Sequence, residues 1–258
     1  MNLSFEVALA ARYTSSTQKI RILSEHLVGR EAYCPGCGSC PISRHANNNP
    51  AADFFCPNCG EDYELKSQRN RFGSTVVDGA FGAMMNRLRA VQNPNLLLLT
   101  YEAPTLEVSN LVVVPKQFLT PDIIQKRRKP LSALAKRAGW TGCNILLQKI
   151  PDVGRIYLVK DRTVEPAATV IATWQRTLFL RMQGDFVTRS WLINVMRCIE
   201  RIGQCTFSLD QVYAFEGELR ELYPNNRHVR EKIRQQLHLL RDNGYLDFLG
   251  RGKYRLAG

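Results

Sequence analysis

The sequence has no long hydrophobic run. Its longest uninterrupted apolar stretches, such as residues 7–11 and 96–99, contain only four or five residues, whereas a helix that crosses a bilayer needs about 20. The first twelve residues include Glu6 and no basic cluster, so they do not resemble a secretory signal. We therefore expect a cytoplasmic protein with no membrane partner.

Acidic residues are scarce relative to basic ones. The 258 residues contain 23 Asp and Glu against 35 Lys and Arg, which gives a formal net charge of +12. Such an excess is typical of proteins that bind polyanions, although charge alone does not separate nucleic acid from anionic lipid or from simple solubility. Residues 115–162 hold 11 Lys and Arg against three Asp, which makes this block the best candidate for contacts with backbone phosphates.

Five of the eight cysteines lie within 26 residues of one another. Cys34 and Cys37 form one Cys-x-x-Cys turn, and Cys56 and Cys59 form a second turn after 18 intervening residues. Two such turns supply four thiolates to one tetrahedral site, which suits zinc or iron. A disulfide is less compatible with a reducing cytoplasm. We expect a structural zinc ribbon at about residues 33–60, with the fifth thiol, Cys40, as a bystander or an alternative ligand.

Carboxylates flank the second cysteine turn. Asp53 precedes the turn, and Glu64-Leu65-Lys66 follows it in a segment that reads as a strand, so Glu64 and Lys66 project from the same face. Two carboxylates and a peptide carbonyl, here that of Leu65, form a site that a hard cation such as Mg²⁺ prefers. The Lys66 ammonium would hold or deprotonate an attacking water, as metal-dependent phosphodiester hydrolysis requires. Taken alone, this pattern is also compatible with a solvated strand edge.

The C-terminal quarter of the chain reads as a separate module. Helical patterns at residues 190–202, from Ser208 and at residues 225–243 precede a hairpin signal around Gly250-Arg251-Gly252, and three helices with a hairpin predict a winged helix. At 100° per residue the third helix gathers several arginines on one stripe beside its apolar face, which suits a major groove but also an ordinary solvated face. The expected DNA contacts of the module are Arg227, Arg230, Arg234, Arg251 and Lys253.

These residues carry a resemblance to a known family. Asp53 with Glu64-Leu65-Lys66 resembles the PD-(D/E)xK nuclease motif. Together with the four paired cysteines and the Arg-Glu-Lys-Ile-Arg segment at 230–234, the chain resembles the DpnI-type methyl-directed restriction endonucleases nearly end to end. It departs from the pattern at Cys40 and at Ala51, where the motif's name has a proline.

The resemblance implies a type II, Mg²⁺-dependent endodeoxyribonuclease that cuts double-stranded DNA at GATC sites carrying N6-methyladenine and leaves blunt ends. The expected fold is an α/β catalytic domain of the PD-(D/E)xK type over residues 1–183, with the zinc ribbon inserted, and a winged-helix domain over residues 184–258. We expect the chain to act as a monomer. The alternatives are a non-cleaving regulator with a zinc ribbon and a winged helix, and an RNA-directed or repair nuclease.

A methyl group on adenine N6 offers no hydrogen bond, so a protein that requires it must supply an apolar surface. Trp140 lies between Gly139 and Gly142 in a basic loop, and the resemblance points to the same loop. We expect Trp140 to contact the methyl group, while burial in the core is the competing interpretation.

Overall fold

A computed structural model describes residues 1–46, 52–89, 93–132, 134, 136 and 138–257. Ala51 therefore lies outside the described residues. The chain forms two compact units, one made of Met1–Gln148 with Val153–Thr177 and the other of Lys149–Asp152 with Leu178–Gly258. The domain boundary expected from composition, at residues 183–184, remains a prediction.

The first unit is a mixed α/β fold. Its helices and strands, in chain order, are α1 (Ser16–Glu31), β1 (Ser43–Arg44), β2 (Phe54–Phe55), β3 (Asp62–Arg69), β4 (Thr75–Ala80), α2 (Phe81–Arg89), β5 (Asn95–Glu102), β6 (Glu107–Val114), β7 (Ile124–Lys126), β8 (Gly142–Leu146), β9 (Ile156–Lys160), β10 (Thr163–Val164) and α3 (Ala167–Gln175).

Seven strands form the main sheet in the order β1-β2-β3-β5-β6-β9-β10. Strands β3 and β5 run parallel, and the other neighbouring strands run antiparallel. The four leucines of β5 at residues 96–99 are all buried, as expected for a strand that is covered on both faces. In the β3–β5 register Glu64 lies opposite Leu96 and Lys66 opposite Leu98, so the two polar side chains share one face of the sheet.

A second, three-stranded sheet in the order β4-β8-β7 lies in the same unit. The helical spacing of apolar residues predicts one helix from Thr75 to Val91, and the structure shows that its first part is wrong. Thr75–Ala80 is strand β4, the helix α2 begins at Phe81, and Val91 lies outside the described residues. The β-branched residues Thr75, Val76 and Val77 favour a strand, and pairing with β8 satisfies their backbone.

The second unit contains the first and third helices and the hairpin that the sequence predicts, together with a third short strand, but the single helix predicted from Ser208 is two short helices. Its elements are α4 (Phe186–Ile202), β11 (Thr206–Ser208), α5 (Leu209–Tyr213), α6 (Glu216–Leu222), α7 (Val229–Asp242), β12 (Leu246–Gly250) and β13 (Lys253–Leu256). The three strands form one sheet in the order β11-β13-β12. A mixed α/β unit followed by a helical module with a hairpin agrees with the coarse architecture expected from the sequence.

Ser208 caps α5 as its sequence position predicts. Its side chain accepts a hydrogen bond from the Gln211 N–H, and the Gln211 side chain accepts one from the Ser208 N–H at 2.8 Å. This reciprocal pair satisfies two backbone donors at the start of the helix.

No helix within the described residues is both long enough and apolar enough to cross a bilayer.

We predict that Ser208→Ala lowers the free energy of unfolding of the second unit by about 0.5–2 kcal/mol, because it removes a capping acceptor. Native-state hydrogen exchange of the full chain, read over residues 206–222, measures the effect. Ser15→Ala is the matched control, because Ser15 occupies the cap position of α1 without a capping hydrogen bond. Equal effects of the two substitutions would contradict the prediction.

Candidate active site, metal centre and DNA-binding module

The two cysteine turns share one backbone geometry. The Gly38 N–H donates to the Cys34 carbonyl at 2.8 Å, and the Gly60 N–H donates to the Cys56 carbonyl at 2.9 Å. Both glycines have positive φ angles, 78° and 72°, which glycine adopts without strain. The local sequence therefore folds each Cys-x-x-Cys-Gly segment so that its two thiols point to one place.

The four thiols converge. The Sγ atoms of Cys34, Cys37, Cys56 and Cys59 all lie within 4.8 Å of one another, and the Cys34–Cys59 and Cys37–Cys56 pairs are 3.5 Å apart. A tetrahedral site with Zn–S distances of about 2.3 Å has S–S separations of about 3.8 Å, so the donor set fits zinc. Cys40 is exposed and lies outside this cluster.

The environment of Cys34 favours a bound cation. Burial raises the pKa of the Cys34 thiol to about 11, so at neutral pH the thiolate requires a metal or another stabilising partner. The buried hydroxyl of Tyr63 lies 3.0 Å from Cys34 Sγ, where it can donate to the sulfur once that sulfur is deprotonated. Tyr63 belongs to β3, so the same strand supports the cysteine cluster and carries Glu64.

Asp53 lies beside β3, the strand that carries Glu64 and Lys66. The Leu65 N–H donates to Asp53 Oδ2 at 2.8 Å, which fixes the carboxylate beside the strand. The N–H and C=O groups of one residue point to the same edge of its strand. The Leu65 carbonyl therefore points to the edge of β3 beside which Asp53 lies. Two carboxylates and a carbonyl are oxygen donors of the kind that Mg²⁺ binds. The residues expected to hold this ion therefore lie within one short stretch of structure.

Asp78 and Arg87 also contact the side chains of Glu64 and Lys66, and sequence reasoning did not assign either of them. The four side chains line one cleft and balance its charge. Lys66 Nζ lies 2.7 Å from Glu64 Oε1 and 2.6 Å from Asp78 Oδ1. Arg87 Nη2 lies 2.8 Å from Glu64 Oε2 and 3.4 Å from Asp78 Oδ2. Two acids and two bases thus form a closed network, to which β4 contributes Asp78 and α2 contributes Arg87. The segment Asp78-Gly79-Ala80 belongs to the family resemblance, but nothing in the sequence shows that it faces Lys66.

The network favours the charged forms of Lys66 and Asp78. Burial lowers the pKa of Lys66, but the charges of Glu64 and Asp78 outweigh it, and the net shift is upward. Burial alone would raise the pKa of Asp78, whereas Lys66, the Gly79 N–H and Arg87 together lower it. In this arrangement the Lys66 ammonium lies within hydrogen-bonding distance of both carboxylates.

Trp140 lies in the loop between β7 and β8 and is half-buried. The ring packs on Gly142, where an added Cβ would lie 3.0 Å from the ring and 3.1 Å from Arg127 Cδ. A cleft of about 440 Å³ on the same hairpin is lined mainly by cations, namely Lys126, Arg127, Arg128 and Lys129, together with Gln125 and Asn144. The structure therefore places Trp140 close to Arg127, which lines this cationic cleft, and the ring is not enclosed in the core.

In the second unit the apolar face of α7 is buried through Val229, Ile233, Leu237 and Leu240. The arginines expected to contact DNA are not equivalent. Arg230 lies 2.6 Å from Glu216 and 5.0 Å above the Tyr213 ring, and Arg234 lies 3.4 Å from Glu231.

The third predicted helix begins later than its pattern suggests. It starts at Val229, so Arg227 belongs to the segment before it and the helical stripe does not include Arg227. Arg227 is exposed, as are Arg251 in the turn of the β12–β13 hairpin and Lys253 at the start of β13. Gly250 and Gly252 flank Arg251 with φ angles of 112° and 70°, a conformation that favours glycine.

Two family models match the chain. The model described as "DpnI: Dam-replacing family" matches residues 1–183, and the model described as "Dam-replacing HTH domain" matches residues 187–256. The helix-turn-helix match indicates that the second unit binds DNA.

We predict one zinc ion per chain, held by the four clustered thiols. Cys59→Ser should lose most of the zinc, because a hydroxyl is a poor replacement for a thiolate ligand. Cys40→Ser is the matched control, since Cys40 is also exposed but lies outside the cluster, and this variant should keep its zinc. Elemental analysis after dialysis against a chelator measures both. Iron in place of zinc, or equal losses in the two variants, would contradict the assignment.

Proposed function

The chain belongs to the DpnI family, which is described as Dam-replacing, and we propose that this chain is a Mg²⁺-dependent type II endonuclease. Membership of the family supports a methyl-dependent restriction enzyme. The proposed substrate is double-stranded DNA with N6-methyladenine in GATC, cut to blunt ends. In this proposal the first unit is the PD-(D/E)xK catalytic domain with its zinc ribbon, and the second is the winged-helix domain. The observation that carries the proposal is the placement of Asp53 beside β3, the strand that carries Glu64 and Lys66, in a chain of this family.

The chain's own residues suit phosphodiester hydrolysis. Asp53, Glu64 and the Leu65 carbonyl would hold Mg²⁺, which when bound polarises a phosphodiester oxygen and makes a bound water more acidic. Lys66, which lies beside Glu64 and Asp78, would orient the attacking water and stabilise the negative charge that develops on the phosphate.

Binding and cutting are assigned to different surfaces. The cationic cleft of residues 125–129 would contact backbone phosphates and thereby orient the duplex. The exposed Arg227, Arg251 and Lys253 of the second unit would do the same, whereas Arg230 would first have to leave Glu216. Affinity from these groups is independent of the metal site, so loss of cutting does not require loss of binding.

A non-cleaving regulator is the second candidate, because a zinc ribbon and a helix-turn-helix domain also occur together in proteins that only bind DNA. The network around Lys66 argues against this candidate. Desolvating two carboxylates and two cations costs free energy that a binding surface has no need to spend. An RNA-directed nuclease is disfavoured, because the major groove of A-form RNA is too narrow for a recognition helix.

The proposal predicts that the wild-type protein, with Mg²⁺, cuts plasmid DNA methylated at GATC adenines and leaves matched unmethylated plasmid intact, and that EDTA abolishes cutting. Substitution of Asp53, Glu64 or Lys66 by Ala should lower the cleavage rate at least about 100-fold. Binding of a methylated duplex should be nearly unchanged, because the cationic surfaces remain. Gel analysis of the plasmids and fluorescence anisotropy of a labelled duplex measure the two effects.

Glu221→Gln serves as the control for these variants, because Glu221 is exposed on α6 of the second unit and is not a member of the network. Cutting that survives EDTA, or a folded Glu64 variant that cuts at the wild-type rate, would refute the assignment. Equal cutting of both plasmids would refute the methyl requirement alone.

Trp140 supplies a prediction about methyl recognition. Trp140→Ala should keep the wild-type melting temperature, because the ring is half-buried. It should lower the preference for methylated over unmethylated GATC about tenfold, as the loss of one apolar contact does. Trp140→Phe keeps an aromatic surface and should retain most of the preference. Strong destabilisation by Trp140→Ala, or full discrimination without the ring, would place the methyl contact elsewhere.

A further inference from the structure

Asp78 is a buried acid to which the mechanism above gives no task of its own. It lies on β4, in the three-stranded sheet, whereas Glu64 and Lys66 lie on the main sheet. Its side chain is 5% exposed, and the register of β4 against β8 shifts between Asp78 and Ala80. Such an irregularity redirects the side chains beside it.

Three elements face Asp78 with titratable or charged groups. Glu64 and Lys66 project from β3, Arg87 from α2, and the buried thiol of Cys143 lies opposite Asp78 on β8. Lys66 and Arg87 are the two cations that contact the carboxylate, one through each oxygen. Asp78 therefore joins the two basic groups of the cleft from the side opposite Glu64.

Both oxygens of Glu64 are also engaged by these cations, Oε1 by Lys66 and Oε2 by Arg87. A metal ion that binds Glu64 competes with both of them for the charge and lone pairs of this carboxylate. Once Glu64 binds the metal, Asp78 is the carboxylate of the network that is left to hold Lys66 and Arg87. Without it, two long and flexible side chains would lose their second anchor and could leave the cleft for solvent.

We propose that Asp78 is a positioning residue that retains Lys66 and Arg87 in the cleft when Glu64 binds the metal, and that Arg87 then contacts the phosphate being cut. This inference rests on the proposed function. The network is neutral with two acids and two bases, whereas Lys66, Arg87 and Asp78 without Glu64 carry one net positive charge. A DNA phosphate is the anion that this remaining charge fits.

A burial argument supports a functional role over a structural one. A buried ion pair stabilises a fold little, because desolvation offsets its attraction, and an apolar replacement is often at least as stable. The ion pairs that Asp78 makes, with its side chain 5% exposed, therefore add little net stability as a whole, but they do fix two cations in one geometry beside the residues proposed to hold the metal.

The first test follows Lys66 in the full chain without metal or DNA. An ammonium held by carboxylates exchanges its protons slowly enough to be seen in a ¹⁵N correlation spectrum, and Lys66→Arg identifies its signal. Glu64→Gln imitates the loss of Glu64 to the metal, and in this variant the signal should persist because Asp78 still holds Lys66. Glu64→Gln combined with Asp78→Asn should abolish it. Loss of the signal in Glu64→Gln alone, or its survival in the double variant, would overturn the inference.

The second test separates positioning from binding. Asp78→Asn should lower the single-turnover cleavage rate of a methylated duplex about 100-fold, while its Kd for that duplex in Ca²⁺ should stay within about threefold of the wild type, because phosphate contacts elsewhere set affinity. Asp161→Asn is the matched control, since Asp161 is exposed and has a positive φ that asparagine tolerates. Asp78→Ser, with a smaller side chain, serves if Asp78→Asn does not fold.

The outcomes distinguish this inference from the function on which it rests. Full cleavage by Glu64→Ala and Lys66→Ala would refute the proposed function. Loss of cleavage in those two variants together with wild-type rates in a folded Asp78 variant would overturn only the role of Asp78.

Discussion

The parallel pairing of β3 with β5 is the constraint on which the candidate active site depends. It sets Glu64 opposite Leu96 and Lys66 opposite Leu98, and side chains alternate along a strand, so both project into the cleft that contains Asp78. A slip of one residue would send both to the opposite face and bring Leu65 into the cleft. The buried leucines of β5 oppose such a slip, because the sheet packs around this central strand.

Charge balance allows the cleft to exist inside a folded unit. Each ionised group that leaves water costs several kcal/mol unless a partner compensates it, and Glu64, Asp78, Lys66 and Arg87 compensate one another within one cycle. The ion pairs on the second unit, such as Arg201 with Glu218, lie on the surface and contribute little to stability. Unlike these surface pairs, the partly buried network of Glu64, Asp78, Lys66 and Arg87 has a geometry that bears on the proposed catalysis.

The sequence predicted the features that are local in the chain. The cysteine turns, the strand with Glu64 and Lys66 on one face, and the cap at Ser208 all depend on spacings of a few residues. The convergence of Asp78 and Arg87 on Lys66 depends on how two sheets and α2 pack, which no periodicity records. The segment from Thr75 was mistaken for a helix because its apolar residues also fit a helical spacing, and Arg227 was assigned to a helix that begins two residues later, at Val229.

The position of the cysteine turns in the chain bears on how the protein matures. Cys34 to Cys59 are synthesised before β5, Asp78 and Arg87, and thiolate binding of zinc is strong enough to drive the folding of a short segment. Zinc bound by these four cysteines would thus order the segment while the strand that sets the register of β3 is still missing. The proposed cutting centre would then assemble on a segment that is already ordered.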